Sequence, residues 1–139
     1  MGEARESRHI SEWVDCSADV VYEYASDPAH LPEWALGLGN AVERVGDEWF
    51  VGTPMGRVGF AFVPRNELGV LDHRVTLPSG EAFYNPMRVV SDGTGCEVVF
   101  TLRRQAGMSD DDFERDAAAV RADLATLKHV LESRDASPG

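Results

Sequence analysis

The sequence predicts an α+β fold: one strand, two short helices, six further strands and one long C-terminal helix. Three observations predict it. Residues 71–90 read as a β-hairpin turning at Pro78-Ser79-Gly80. Near the C-terminus, Phe113, Ala117, Val120, Leu124, Leu127 and Leu131 recur at alternating spacings of four and three, which makes one buried helical stripe. Between and before them the patterning runs strand, two short helical segments, then further strands, with no repeat or linker dividing the chain.

The length of 139 residues suits one domain over 1–139, with its ordered core over about 8–133. The net charge of -11, from 13 basic and 24 acidic residues, argues against nucleic acid and anionic membrane surfaces as partners. No apolar run is long enough to span a bilayer, and the charged start MGEARESRH lacks the apolar core of a secretory signal. A cytoplasmic location is the expectation. Cys16 and Cys96 have no metal-ligand spacing and are expected to be reduced and buried.

Residues 8–16 alternate as the first strand, with Ile10, Val14 and Cys16 on one face. Ser17 is an N-cap, and Val20, Val21, Tyr24 and Ala25 form a short helical stripe after it. Asp27 precedes Pro28, which starts a second helical turn carrying Leu31 and Trp34; Gly37-Leu38-Gly39-Asn40 breaks it. Strands are expected over 41–45, 48–53 and 57–63, the last with Val58, Phe60 and Phe62 on one face and a thin second face at Gly59 and Ala61.

In the hairpin, Pro78 presets the turn and Gly80 takes the positive-φ position. Leu77 then faces Glu81, Val75 faces Phe83, His73 faces Asn85 and Leu71 faces Met87, all on one side of the sheet. Asp72, Arg74, Thr76, Ala82, Tyr84 and Arg88 take the other side. A polar pair, His73 and Asn85, thus sits in the middle of an apolar face. It is either a satisfied core pair or the polar end of a ligand pocket. A turn centred on Asp92-Gly93 leads to the last strand, 96–104, which sends Cys96, Val98, Phe100 and Leu102 inward and brings Asn85 near Phe100. Ser109 caps the final helix. Asp110, Asp111 and Asp112 suit its dipole, Asp112 stands at the capping-box position, and Met108 with Phe113 forms a hydrophobic staple. The acidic run is not a metal site, because consecutive helical residues point about 100° apart. Residues from Arg134 onward read as a frayed tail.

This pattern resembles the SRPBCC, or START-like, helix-grip superfamily: START domains, birch-pollen-allergen-like proteins and bacterial polyketide cyclase/dehydrase-like proteins. The residues that carry the resemblance are ISEWVDCSADVVYEYASDPAHLPEW at the front, VLDHRV in the middle, and PMRVV-SDGTGCEVVFTLRRQAGMSDDDF at the back. Ser17 stands where that family often has Pro. The resemblance implies a helix-grip fold, a seven-stranded antiparallel sheet curved around the C-terminal helix with a ligand cavity between them. It also implies that Trp34, His30 and Met55 lie near the cavity mouth, and that the first and last strands are neighbours, which brings Cys16 toward Cys96. In this fold the core face is also the cavity wall, so Phe60, Phe62, Phe83, Met87, Phe100 and Leu124 are candidate ligand-lining residues together with Trp34 and Met55. His30 itself is expected to be exposed.

His73 and Asn85 are the candidate catalytic residues: an imidazole for a proton and an amide for a carbonyl. The structural alternative is a His satisfied by Asn85 or by backbone. Arg74, Tyr84 and Arg88 share the outward face, as a homodimer contact or, preferred here, a solvated surface; a one-residue register slip would exchange them with the inward pair. The functional expectation is a hydrophobic or aromatic small-molecule ligand, with no metal or other cofactor. The first reading is a polyketide cyclase/dehydrase-like enzyme of bacterial secondary metabolism. The others are a non-catalytic lipid-like ligand carrier or sensor, and a protein-interaction module.

Overall fold

Apolar alternation along Ser7–Val14 produces β1, whose Ile10 and Val14 are buried. The structure, a computed structural model, describes residues 5–36, 39, 41–54 and 56–135. Met55, part of the Gly37–Asn40 breaker and the end of the expected frayed tail lie outside the described residues. The Ser17 hydroxyl caps α1 (Ala18–Ala25) by accepting from the Val20 N–H. The buried stripe of α1 is Val21, Tyr22, Tyr24 and Ala25. Val20, expected to be in that stripe, stands half in solvent, and Tyr22 takes its place because its hydroxyl finds a partner, the Asn66 N–H at 2.9 Å. Asp27 caps a 3-10 turn, Pro28–His30, which leads into α2 (Leu31–Trp34).

The strands that follow are β2 (Ala41–Val45), β3 (Glu48–Thr53), β4 (Gly56–Phe62), β5 (His73–Thr76), β6 (Ala82–Asn85), β7 (Met87–Asp92) and β8 (Gly95–Arg103). They make two antiparallel sheets among the described residues, in the orders β1-β8-β7 and β2-β3-β4-β5-β6. The strand count is therefore eight rather than seven. The difference lies at Pro86, which has no N–H for a ladder and splits one expected strand into β6 and β7. The two sheets stay sutured around this break. Leu71 N–H donates to the Met87 carbonyl at 2.8 Å, Val89 N–H to Gly69 at 2.8 Å, and Thr101 N–H to Pro86 at 3.0 Å. Gly69 has φ +72°, and a Cβ there would stand 2.3 Å from the Val89 carbonyl oxygen, so only glycine allows this approach.

Elsewhere the local chemistry sets the registers directly. Gly80, at φ 93°, closes the hairpin, and His73 pairs with Asn85 and Val75 with Phe83. At the next turn Asp92 pairs with Gly95, so the turn centres on Gly93-Thr94, one residue later than expected, with Gly93 at φ 61°. That moves the pairing by two residues. Phe100 stands opposite Met87 rather than Asn85, while every inward residue keeps its face.

The last helix, α3 (Asp110–Asp135), begins as its caps dictate: the Ser109 hydroxyl accepts from the Asp112 N–H at 3.1 Å. Phe113, Ala117, Leu124, Leu127 and Leu131 are buried, with Val120 partly so. Two clamps fix α3 along β1. Arg8 makes two bonds to Glu114, and Lys128 joins Glu132 to the Trp13 carbonyl, while Glu132 also accepts from the Asp15 N–H. Cys16, two residues beyond the end of β1, and Cys96, in the neighbouring β8, are both buried and not joined by a disulfide. Burial, and then the neighbouring Cys16, pushes the Cys96 thiol up to about 11. No helix among the described residues is long and apolar enough to cross a membrane.

Candidate functional site

Sheet curvature and α3 leave a cavity of about 340 Å³ between them. The hairpin alternation puts His73, Val75, Phe83 and Asn85 on its wall, β7 and β8 add Met87, Phe100 and Leu102, and α3 adds Val120 and Leu124. Trp34 and Phe60 line it as well. Phe62 does not. It packs edge-on against Phe60 and His73, on their side of the sheet, and lines a separate groove. Nor does His30. Its Nδ1 donates to the Tyr24 carbonyl at 2.8 Å and its ring stacks on Tyr24 at 4.2 Å, which leaves it half-buried and away from the cavity.

His73 is buried, at 7% exposure. Its Nδ1 donates to the Leu71 carbonyl at 3.0 Å, and its ring stacks on Phe60 with centroids 4.9 Å apart. A carbonyl only accepts, so the neutral ring carries its proton on Nδ1 and its lone pair on Nε2. Burial lowers its pKa below the ordinary 6.5, against the opposing pull of the Leu71 bond and the Asp72 charge. The ring is thus neutral near pH 7 and able to accept a proton. Asn85 pairs with it across the strands, yet no hydrogen bond joins the two side chains, and the Asn85 amide has no partner among the described residues. Of the two partners the structural alternative offered, backbone satisfies one ring nitrogen and Asn85 satisfies neither.

Behind this wall lies a polar node that sequence reasoning placed on the outward face without seeing its burial. Asp72 is 4% exposed. Its carboxylate accepts from the Met87 N–H at 2.8 Å, the Tyr84 hydroxyl at 2.7 Å, and Arg88 Nε and Nη2 at 3.1 Å each. Burial alone would raise its pKa, but the bonds from Arg88, Met87 and Tyr84 outweigh it and hold the carboxyl below the ordinary range. Asp72 therefore takes up the N–H that Pro86 leaves without a ladder partner, one residue from His73. Tyr84 and Arg88 stay about half exposed, on the outward side as expected.

The mouth of the cavity was also missed. Arg103, Gln105 and Met108 come from the end of β8 and the loop after it, and Asp116, Ala119 and Asp123 from α3. A signal was available: Asp116 and Asp123 are seven apart and flank Val120, so they share the helix face that looks at the sheet. Burial, and then Asp112, raises the Asp116 carboxyl above its ordinary value. Among the described residues no group of His, Cys, Asp and Glu is placed to hold a metal ion.

No family model and no curated protein matches the chain. Solved structures do. The protein XoxI from Bacillus cereus is 12% identical with a TM-score of 0.70, covering 94% of this chain and 99% of its own. The Zhui aromatase/cyclase from Streptomyces sp. R1128 is 20% identical with a TM-score of 0.65, covering 96% and 99%. A truncated norcoclaurine synthase from Thalictrum flavum is 16% identical with a TM-score of 0.63, covering all of both chains. The chain shares the fold of these structures. At these identities the likeness is one of fold, and function has to be argued from the site.

Proposed function

We propose that the chain binds a hydrophobic or aromatic small molecule in this cavity and acts on it as a polyketide cyclase/dehydrase-like enzyme of the cytoplasm, using its own side chains. The observation that carries the reading is the His73–Asn85 pair on the wall of a cavity whose inner lining is mostly apolar. The Nε2 lone pair of His73 takes a proton from a carbon between two carbonyl groups. The Asn85 amide donates to the enolate oxygen that forms. The enolate carbon attacks a further carbonyl of the same molecule, and this C–C bond closes the ring as the C=O π bond opens to an alkoxide; the alkoxide recovers the proton from His73, and loss of water then leaves a C=C bond in the ring. The apolar walls contribute by holding a flexible chain in one reactive fold. The fold shared with an aromatase/cyclase supports this reading at the level of architecture.

A second reading, a non-catalytic carrier or sensor, is favoured by the predominance of Phe60, Phe83, Met87 and Phe100 in the lining. The two separate with His73→Ala and Asn85→Ala, each checked for folding by circular dichroism. An enzyme loses turnover of a poly-β-keto thioester by about 100-fold or more in each variant, the usual scale of general-base and oxyanion contributions. A carrier loses at most some affinity for a naphthol probe. Unchanged turnover and unchanged affinity in both variants would remove the polar pair from the site.

A further inference from the structure

The cavity wall carries one polar group that neither the fold nor the proposed chemistry uses. Trp34, the last residue of α2, lines the cavity and is 5% exposed. Its indole Nε1–H is buried and has no acceptor among the described residues. An indole N–H can only donate. A donor left buried and unpaired destabilises the fold, and a phenyl ring at the same place would avoid that cost. The other lining residues of this segment, Leu31 and Ala35, bring no side-chain acceptor. The ring turns about a broad χ2 torsion, so a molecule packed against it can meet its N–H edge.

We propose that the ligand presents a neutral, acceptor-only oxygen, a ketone or ester carbonyl, to the Trp34 Nε1–H, which makes Trp34 a specificity-determining residue of the cavity. The inference rests on the cavity-binding reading above and holds for an enzyme or a carrier alike. The surroundings of Trp34 separate three kinds of acceptor. A carboxylate would be buried there without a cation, because Arg103, the guanidinium of the lining, lies exposed at the mouth. A hydroxyl would bring a donor of its own to a wall segment whose other members are Leu31 and Ala35. A carbonyl supplies the acceptor and adds no donor. In the enzyme reading Asn85 holds the reacting carbonyl from β6, so Trp34 on α2 reads a further oxygen of the same molecule.

The test compares two probes of matched shape, acetylnaphthalene and isopropenylnaphthalene, which differ by a carbonyl oxygen in place of a methylene group. The protein carries Asn85→Ala, so that Trp34 is the donor under test; Asn85→Leu, closer in size, replaces it if circular dichroism shows that the alanine variant does not fold. Titration calorimetry with mutual competition shows that the probes share a site. The ketone should bind about tenfold more tightly than the hydrocarbon, the scale of a hydrogen bond to a donor that is already desolvated. Adding Trp34→Phe should remove that preference. Nuclear magnetic resonance of isotope-labelled indoles gives a second readout that keeps Trp34 in place, its signal assigned by elimination with Trp13→Phe and Trp49→Phe. The Trp34 N–H should move downfield with the ketone relative to the hydrocarbon. If the ketone binds no more tightly, if the preference survives Trp34→Phe, or if the Trp34 N–H stands at the same position with both probes, the carbonyl assignment is overturned while the cavity reading stands. If neither probe binds, both fall.

Discussion

His73, at the start of β5, and Asp72, just before it, are adjacent and both buried, yet they meet burial by opposite means. His73 stays neutral, and Asp72 stays charged within a cage of donors. Each makes a prediction. The folded pKa of His73 lies below 6.5, so between that value and 6.5 the unfolded chain holds a proton that the folded chain does not. Its contribution to stability is full above 6.5 and is lost as pH falls through this window, by up to about 1.4 kcal/mol per pH unit. Urea denaturation over a pH series should show that slope in the wild type and a shallower one in His73→Gln. For Asp72, replacement by Ala strands the Met87 N–H, the Tyr84 hydroxyl and Arg88 together, and should cost about 2–4 kcal/mol in the same assay. Alternation alone placed His73 inward and Asp72 outward. It could not reveal that Asp72 is buried, because its partners at 84, 87 and 88 converge only once Pro86 has broken the ladder.

At the scale of elements, legibility followed turn and cap chemistry. Pro78-Ser79-Gly80 fixed the pairing of His73 with Asn85, since a three-residue loop with Gly80 at positive φ leaves little freedom. The Asp92–Gly95 region held two glycines, either able to occupy a turn, and the pairing there came out two residues from expectation. Pro86 was visible in the sequence, but its consequence depends on a neighbouring strand that supplies a side chain instead of a backbone acceptor. The short helix α1 was similarly ambiguous: Val20 and Tyr22 both border its buried face, and the Asn66 N–H decides in favour of Tyr22. The helix start at Ser109 was the plainest signal. Ser109→Ala should lower stability by about 1 kcal/mol, measured by chemical denaturation, because the Asp112 N–H loses its acceptor.

At the scale of the whole molecule, the apolar faces of two sheets and the stripe of α3 do not fill the space they enclose. The stripe was legible as a periodicity, and most of the expected lining residues do meet at the cavity, while Phe62 packs against Phe60 and His73 without lining it and Met55 lies outside the described residues. The acidic mouth was not read, because the spacing of Asp116 and Asp123 looks like an ordinary solvated helix face until the opposing sheet is in place. The central claim is that a ligand enters this cavity and meets the His73–Asn85 pair. It is tested most directly by nuclear Overhauser contacts from bound naphthol to an isotope-labelled protein. The account predicts contacts to the Asn85 side-chain amide and the Phe100 ring. Contacts instead to Arg57 and Thr76, in the separate groove, would contradict it.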